Sequence, residues 1–212
     1  MKRTILVVGM AVALVGVVAM VRFDTDPSQA QEKSRLTHPA IAEPATLSDA
    51  RAEALYQAIR GQMRDVYLAS GDPVMLGYQN WTRYNRHRYR SPNHGERFVN
   101  HYGNGLAAAY GNFEEGGPLP EGAIVIKDSF TVTKSGVVMT GPMFMMEKMP
   151  AGFPSGAGSW RFIMLDGDGN LVGMTDGDGD EKVRFCGTCH RNAGPEQDYL
   201  FFLPEEARVA PN

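Results

Sequence analysis

Apolar side chains recur every three or four positions in the first part of the folded chain. These positions are Leu55, Ile59, Met63 and Val66. The period predicts an amphipathic helix over residues 47–69, ended by the Ser-Gly-Asp-Pro sequence at 70–73. Thr46 and Asp49 have the three-residue spacing typical of a helix N-terminal capping box. One apolar stripe needs a surface to pack on, so this helix is expected to belong to the folded domain.

A second stretch, residues 77–112, is rich in aromatic, Arg, Asn and His side chains. Phe98, Tyr102 and Leu106 lie four positions apart within it. This spacing favours another helix, over residues 96–110.

From residue 120 onwards, short β-prone segments replace the helical period. The predicted strands cover residues 123–127, 130–133, 137–140, 143–146, 160–165 and 171–174. Glycine-containing turns at 134–136 and 166–169 connect neighbouring strands. A short helix is expected to begin at the cysteine pair, before an irregular tail. The predicted fold class is therefore α+β, an antiparallel β-sheet with flanking helices.

The N-terminus has the pattern of an export signal. Lys2 and Arg3 precede an apolar run over residues 5–21. Such a charged start followed by an apolar core directs export, and small residues favour cleavage after Ala30. The alternative is an uncleaved anchor, which would be the protein's only contact with a membrane. Both interpretations place the folded domain in the periplasm.

The chain is accordingly divided into three parts. Residues 1–30 form the signal peptide or signal anchor, residues 31–45 a polar tether, and residues 46–212 a single domain. The 212-residue chain is 43% hydrophobic and carries a net charge of −3. A chain of this composition can bury a core. It has no basic field that would attract nucleic acid, so we expect no nucleic-acid partner.

The chemistry is carried by Cys186-Gly187-Thr188-Cys189-His190, a C-x-x-C-H sequence. In c-type cytochromes the two thiols of this motif add to the haem vinyl groups, and the histidine ligates the iron. The motif predicts one haem c per chain, with His190 as the metal ligand. Its attachment outside the cytoplasm agrees with the export signal. A disulfide, a redox-active C-x-x-C pair and a zinc site completed by another histidine are the alternatives.

Four segments in a fixed order carry a resemblance to a known family. They are HGERFVN at 94–100, PEGAIVIKDSF at 120–130, GPMFMMEKM at 141–149 with Trp160 beyond it, and FCGTCH at 185–190 followed by DYLFF at 198–202. With them the chain resembles the cytochrome P-460 family, which includes the cytochromes P-460 and the β-type cytochromes c′. The resemblance covers roughly residues 75–209.

The resemblance implies a mostly β fold, often a homodimer, with a five-coordinate haem c. In cytochromes P-460 a lysine is also cross-linked to the porphyrin, and the matching residue here is Lys127. Those enzymes oxidise hydroxylamine with a distal carboxylate as proton acceptor, for which Glu147 is the nearest match. β-type cytochromes c′ lack the cross-link and bind nitric oxide in an apolar pocket. Each role has an alternative. Lys127 could instead be a strand-end lysine that reaches water, and Glu147 could be a surface charge paired with a cation.

Other side chains are candidates for contacts with the haem. The guanidinium of Arg97 suits a haem propionate, or else a structural ion pair. His94 and His101 are possible sixth iron ligands, or else polar packing residues. The methionines offer thioether ligands or core filling; they are Met143, Met145, Met146 and Met149.

The predicted function is redox or small-ligand chemistry at an open iron face, with nitric oxide or hydroxylamine as the ligand and a periplasmic protein as electron-transfer partner. Hydroxylamine oxidation is a possible activity of this oxidoreductase class. The alternatives are a six-coordinate electron-transfer cytochrome and a nitric oxide binding protein without turnover.

Overall fold

The computed structural model describes residues 44–210. The predicted signal segment and the tether up to residue 43 lie outside the described residues. Within residues 44–210, no helix has the length and apolar character needed to span a membrane.

The first helix, α1, spans Asp49–Tyr67 and confirms the helical period. Its N-cap is Ser48, whose hydroxyl accepts a hydrogen bond from the backbone N–H of Arg51 at 3.3 Å. Thr46 is therefore not the capping residue. The chain leaves the helix through a 3₁₀ turn, Leu68–Ser70, and Gly71 ends it with a φ of 78° that favours glycine.

Eight strands in the described part of the chain form one antiparallel sheet. Their bounds are β1 Thr82–Arg83, β2 Tyr89–Ser91, β3 Arg97–Gly103, β4 Ile124–Val132, β5 Val138–Thr140, β6 Met143–Lys148, β7 Trp160–Leu165 and β8 Leu171–Met174. The order across the sheet is β1-β3-β4-β6-β7-β8, with β2 paired to β3 and β5 paired to β4. The α+β fold class is confirmed.

The helix expected over residues 96–110 was a wrong prediction. Arg97–Gly103 is a strand, and Gly105–Glu115 after it is a 3₁₀ helix with a kink at Phe113. Phe98 and Tyr102 lie four residues apart, and a spacing of four also returns to the same face of a strand. The other face of β3 is buried too, so the sequence shows no alternation that would have revealed a strand.

Strand β4 runs unbroken through residues 128–129, where the sequence predicted an interruption. Asp128 is fully buried on this strand. Its carboxylate accepts hydrogen bonds from the Tyr56 hydroxyl at 2.9 Å, the Tyr78 hydroxyl at 3.1 Å and the Asn100 amide at 2.6 Å. These donors replace water, so a charged residue is accommodated in the central strand.

The sheet separates two apolar clusters. Helix α1 covers one face, where its buried residues Tyr56, Met63 and Tyr67 pack against side chains such as Ile126 and Phe130. On the other face, the Gly105–Glu115 segment and the C-terminal part of the chain pack against β4, β6 and β7. The alternation of side chains along β4 therefore directs Asp128 towards α1 and Lys127 towards the opposite face.

The second helix, α2, spans Asp180–His190 and begins six residues before the first cysteine. The predicted short helix exists, but the cysteines lie near its end. Strand β8 passes very close to its start, because a Cβ on Gly173 would lie 2.2 Å from the carbonyl oxygen of Gly179. Only glycine at 173 permits this approach, which holds α2 against the sheet.

Candidate functional site

A cavity opens on the sheet face opposite to α1. It contains about 1030 Å³ of space not occupied by atoms, its open mouth included. Its walls are mainly apolar and include six aromatic residues: Tyr89, Phe144, Phe162, Phe185, Phe201 and Phe202.

The C-x-x-C-H residues meet at this cavity. Cys186, Cys189 and His190 all line it, and their spacing places them on one face at the end of α2. Both cysteines are free thiols and partly buried. Burial raises the pKa of the Cys186 thiol to about 12, so that side chain is a neutral, apolar-facing thiol.

The imidazole of His190 is held in one tautomer. Its Nδ1 lies 2.8 Å from the backbone carbonyl oxygen of Tyr199. A carbonyl can only accept, so Nδ1 carries the proton and Nε2 carries the lone pair. The rings of Phe162 and Phe201 pack against the imidazole at 5.1 and 5.3 Å. This is the arrangement by which proteins orient a metal-ligating histidine.

The Tyr199 carbonyl is itself held in place by an unusual backbone. Asp198 and Tyr199 both have positive φ, 49° and 61°. Asp198 is anchored there because its carboxylate pairs with Lys148 and accepts the Leu119 N–H, while its carbonyl accepts the Trp160 indole N–H at 2.7 Å. Sequence reasoning missed this support, since a backbone carbonyl leaves no mark on residue type.

Lys127 lines the same cavity and is only 8% exposed. It lies in the middle of β4, so the alternative of a strand-end lysine that reaches water was wrong. Burial lowers the pKa of Lys127 to about 8, and the nearby Cys189 opposes this shift. A lysine with this pKa is about one-tenth neutral at pH 7, far more than an ordinary lysine, and the neutral amine is the nucleophilic form.

The two candidate histidines have different positions. His94 lines the cavity, where its Nδ1 is 2.8 Å from the Ser91 hydroxyl and its ring packs on Phe144 at 4.8 Å. His101 is fully buried, and both of its ring nitrogens are hydrogen-bonded to tyrosine hydroxyls. The geometry therefore leaves no ring nitrogen of His101 for a metal.

The structure does not bring Glu147 or Arg97 to the cavity walls. Glu147 pairs across strands with Arg161 at 3.4 Å, which matches the surface-pair alternative. Arg97 donates to the backbone carbonyl of His94 at 3.0 Å. Neither the proton-acceptor role of Glu147 nor the propionate contact of Arg97 is supported by these positions. Glu147 lies opposite Ile124 on the α1 side of the sheet, whereas Arg97 lies beside His94, a residue of the cavity wall.

The candidate methionines lie on both faces of the sheet. The side chains of Met143 and Met145 pack in the cluster under α1, whereas Met146 and Met164 line the cavity. Within residues 44–210, no three His, Cys, Asp or Glu side chains are grouped so that they could hold a metal ion.

The residues present fit a haem. Two thiols, an imidazole with its lone pair on Nε2 and an apolar wall that contains aromatic and methionine side chains share one cavity. Apolar walls suit the faces of a porphyrin, and a histidine nitrogen suits its iron. The fold and the site therefore define a haem-binding cytochrome.

Comparison with protein families assigns the chain more narrowly. The model of the cytochrome P460 family matches residues 75–202, so the chain belongs to that family. A comparison with curated proteins found no match. The match spans the sheet and the cysteine-bearing helix, but it begins after α1.

Proposed function

We propose that this protein is a monohaem c-type cytochrome that binds nitric oxide or hydroxylamine at an open face of its iron. The observation that carries the proposal is the position of His190. Its imidazole is oriented by the Tyr199 carbonyl and lies beside two thiols at the wall of one cavity.

Each residue of the site has a separate task. Cys186 and Cys189 hold the haem through thioether bonds, and His190 Nε2 ligates the iron. The aromatic walls exclude water and leave room for a small molecule. The haem, when bound, supplies an iron that takes up small nitrogen ligands and exchanges single electrons.

Lys127 is our candidate for a cross-link to the porphyrin. Its position in the cavity wall and its lowered pKa support this role, because an uncharged amine is needed to form such a bond. A cross-linked protein would suit hydroxylamine oxidation, whereas a protein without the link would suit reversible nitric oxide binding.

The proposal also includes the compartment, the electron-transfer partner and the oligomeric state of the protein. The charged and apolar N-terminal sequence supports export to the periplasm, where haem c is attached in bacteria. An electron-transfer protein of that compartment would then exchange electrons with the haem. A homodimer is proposed on family resemblance alone.

Covalent haem staining on a denaturing gel tests the attachment. The protein expressed with periplasmic export is expected to stain, and Cys186→Ala/Cys189→Ala is expected not to. Thr188→Ala is the matched control, because Thr188 lies between the two cysteines and is exposed. An unstained wild-type protein would refute the proposal.

Optical spectra with and without nitric oxide test the chemistry. A strongly red-shifted reduced Soret band that returns to the position of ordinary haem c in Lys127→Met would establish the cross-link. An ordinary spectrum that responds to nitric oxide would support the gas-binding function without the link. No response to nitric oxide would contradict an open iron face.

A six-coordinate electron carrier is the second candidate, because His94, Met146 and Met164 line the cavity. A low-spin spectrum that changes to high-spin in His94→Ala would favour it. The same experiment with Met146→Leu would identify a thioether ligand instead.

A further inference from the structure

Three side chains form a hydrogen-bonded row that starts at the cavity wall. The Tyr89 hydroxyl lies 2.8 Å from Nε2 of His101, and Nδ1 of His101 lies 2.9 Å from the Tyr110 hydroxyl. Tyr110 in turn donates to the backbone carbonyl of Phe201 at 3.2 Å. Tyr89 lines the cavity, whereas His101 and Tyr110 are buried behind it.

The direction of every bond in this row follows from its last member. The Phe201 carbonyl can only accept, so the single proton of Tyr110 points to it. Tyr110 must then accept from His101, which places the proton of the imidazole on Nδ1. Nε2 is left as an acceptor, and the hydroxyl proton of Tyr89 is directed to it.

The surroundings of His101 favour the neutral imidazole. Burial lowers the pKa of His101 well below its usual value, and the nearby Lys127 lowers it further. A neutral imidazole has one donor and one acceptor nitrogen, as the row requires. The tautomer is therefore set by geometry and maintained by burial.

We propose that Tyr89 is the hydrogen-bond acceptor of the cavity and that His101 and Tyr110 are positioning residues for it. Because its proton is committed to His101, the Tyr89 oxygen presents only lone pairs to a ligand. It would accept from a ligand that carries N–H or O–H groups, such as hydroxylamine. It would form no hydrogen bond with a diatomic ligand that has no proton to donate, such as carbon monoxide.

This inference rests on the proposed function and adds a determinant of ligand choice. It also supplies the cavity with a polar group that Glu147 does not provide, since Glu147 lies outside the lining.

Ligand binding to the haem-loaded Tyr89→Phe protein tests the inference. Hydroxylamine affinity of the oxidised protein, measured optically without an electron acceptor, is expected to fall about 3- to 10-fold, as for the loss of one hydrogen bond. Carbon monoxide affinity of the reduced protein is expected to stay within about twofold. Tyr84→Phe is the matched control, because its hydroxyl donates to the Ala107 carbonyl away from the cavity.

A double-mutant cycle tests the positioning role. His101→Gln is expected to weaken hydroxylamine binding, and adding it to Tyr89→Phe is expected to cause no further loss, since both changes act through one oxygen. A purely structural effect of His101→Gln would weaken carbon monoxide binding as well and would add to the effect of Tyr89→Phe.

Two outcomes would overturn the inference. A fall in carbon monoxide affinity with unchanged hydroxylamine affinity would show that Tyr89 donates into the cavity. Unchanged affinities for both ligands would show that Tyr89 contacts neither. In each case a Tyr89→Phe protein that still stains for haem and binds nitric oxide would leave the proposed function intact.

Discussion

Lys127 is a buried amine whose charged form is costly in the folded protein. Its pKa falls from an ordinary value of 10.5 to about 8, mainly because burial removes it from water. Below pH 8 Lys127 is protonated in both the folded and the unfolded chain, so folding includes the full free-energy cost of burying the charged amine. Between pH 8 and 10.5 the unfolded chain binds more protons than the folded one, and stability rises with pH.

Replacing Lys127 with methionine is therefore expected to stabilise a protein without the porphyrin cross-link. The pKa difference corresponds to about 3 kcal/mol at pH 7, and this gain should vanish as the pH approaches 10.5. Urea unfolding of the variant and the wild type over pH 7–10.5 measures it. Lys134→Met is the control, because Lys134 is exposed at a turn and its replacement leaves the buried Lys127 in place. An equal difference at all pH values would contradict this account.

At the scale of single residues, the C-x-x-C-H motif could be recognised in the sequence, but the buried position of Lys127 and the contacts that hold His190 could not. A C-x-x-C-H sequence specifies its own chemistry through residue type and spacing. The carbonyl of Tyr199 and the row behind Tyr89 depend on backbone geometry and on contacts far apart in the chain. The sequence left two roles open for Glu147, because the face on which a strand residue points depends on the strand's register, which the sequence did not define.

The start of α1 gives a prediction at the scale of elements. Ser48 satisfies the backbone N–H of Arg51, which has no partner within the helix. Ser48→Ala is expected to lower the free energy of unfolding by about 1 kcal/mol. Thr46→Ala is expected to change it little, because Thr46 does not cap. Thermal or urea unfolding of the two variants distinguishes them, and a larger effect of Thr46→Ala would refute the assignment.

The contact between β8 and α2 gives a second prediction at the scale of elements. Gly173→Ala would place a methyl group 2.2 Å from the Gly179 carbonyl oxygen, so the start of α2 must shift. We expect a destabilisation of about 1–3 kcal/mol, as for other overpacked sites. Haem staining should also decrease, because α2 carries both cysteines and His190.

Gly61→Ala is the opposite case and serves as the control. Gly61 lies inside α1, and a Cβ there would meet nothing within 4 Å. Alanine is therefore expected to stabilise the protein by about 0.5–1 kcal/mol. If both variants proved neutral, the close approach of β8 to α2 would not be a feature of the folded protein.

The sequence predicted elements well where apolar side chains follow one face or where glycine-containing turns mark the ends. Strands β7 and β8, with the Asp-Gly turn between them, have the predicted bounds. Strand β3 was mistaken for a helix because both of its faces are buried, and β4 was divided because a charged residue interrupts its apolar run. In both cases tertiary contacts, which are absent from local sequence, decided the outcome.

On the scale of the whole molecule, α1 is part of the fold although the family match begins after it. Its buried tyrosines and Met63 form one side of the core under the sheet. Tyr56 also donates to Asp128, and Tyr67 donates to the Gly141 carbonyl at 2.8 Å. The domain therefore extends beyond the segment that defines the family.

A chain that begins at residue 75 is accordingly expected not to fold. Each buried side chain of α1 contributes about 1.5–3 kcal/mol, and several of them together approach the total stability of a typical domain. Circular dichroism and the yield of soluble protein measure this against a chain that begins at residue 44. A cooperative unfolding transition in the shorter chain would contradict the expectation.

Strand β4 carries a cation and an anion on neighbouring residues, Lys127 and Asp128, and buries them on opposite sides of the sheet. A slip of this strand by one position during folding would exchange the two sides. The carboxylate would then enter the aromatic cavity, and the amine would meet the tyrosine hydroxyls that now serve the carboxylate. The misplaced carboxylate would be buried without its three hydrogen-bond donors, at a cost of several kcal/mol. The buried carboxylate of Asp128 therefore also helps to select the alignment of the strand, because only one alignment gives it its donors.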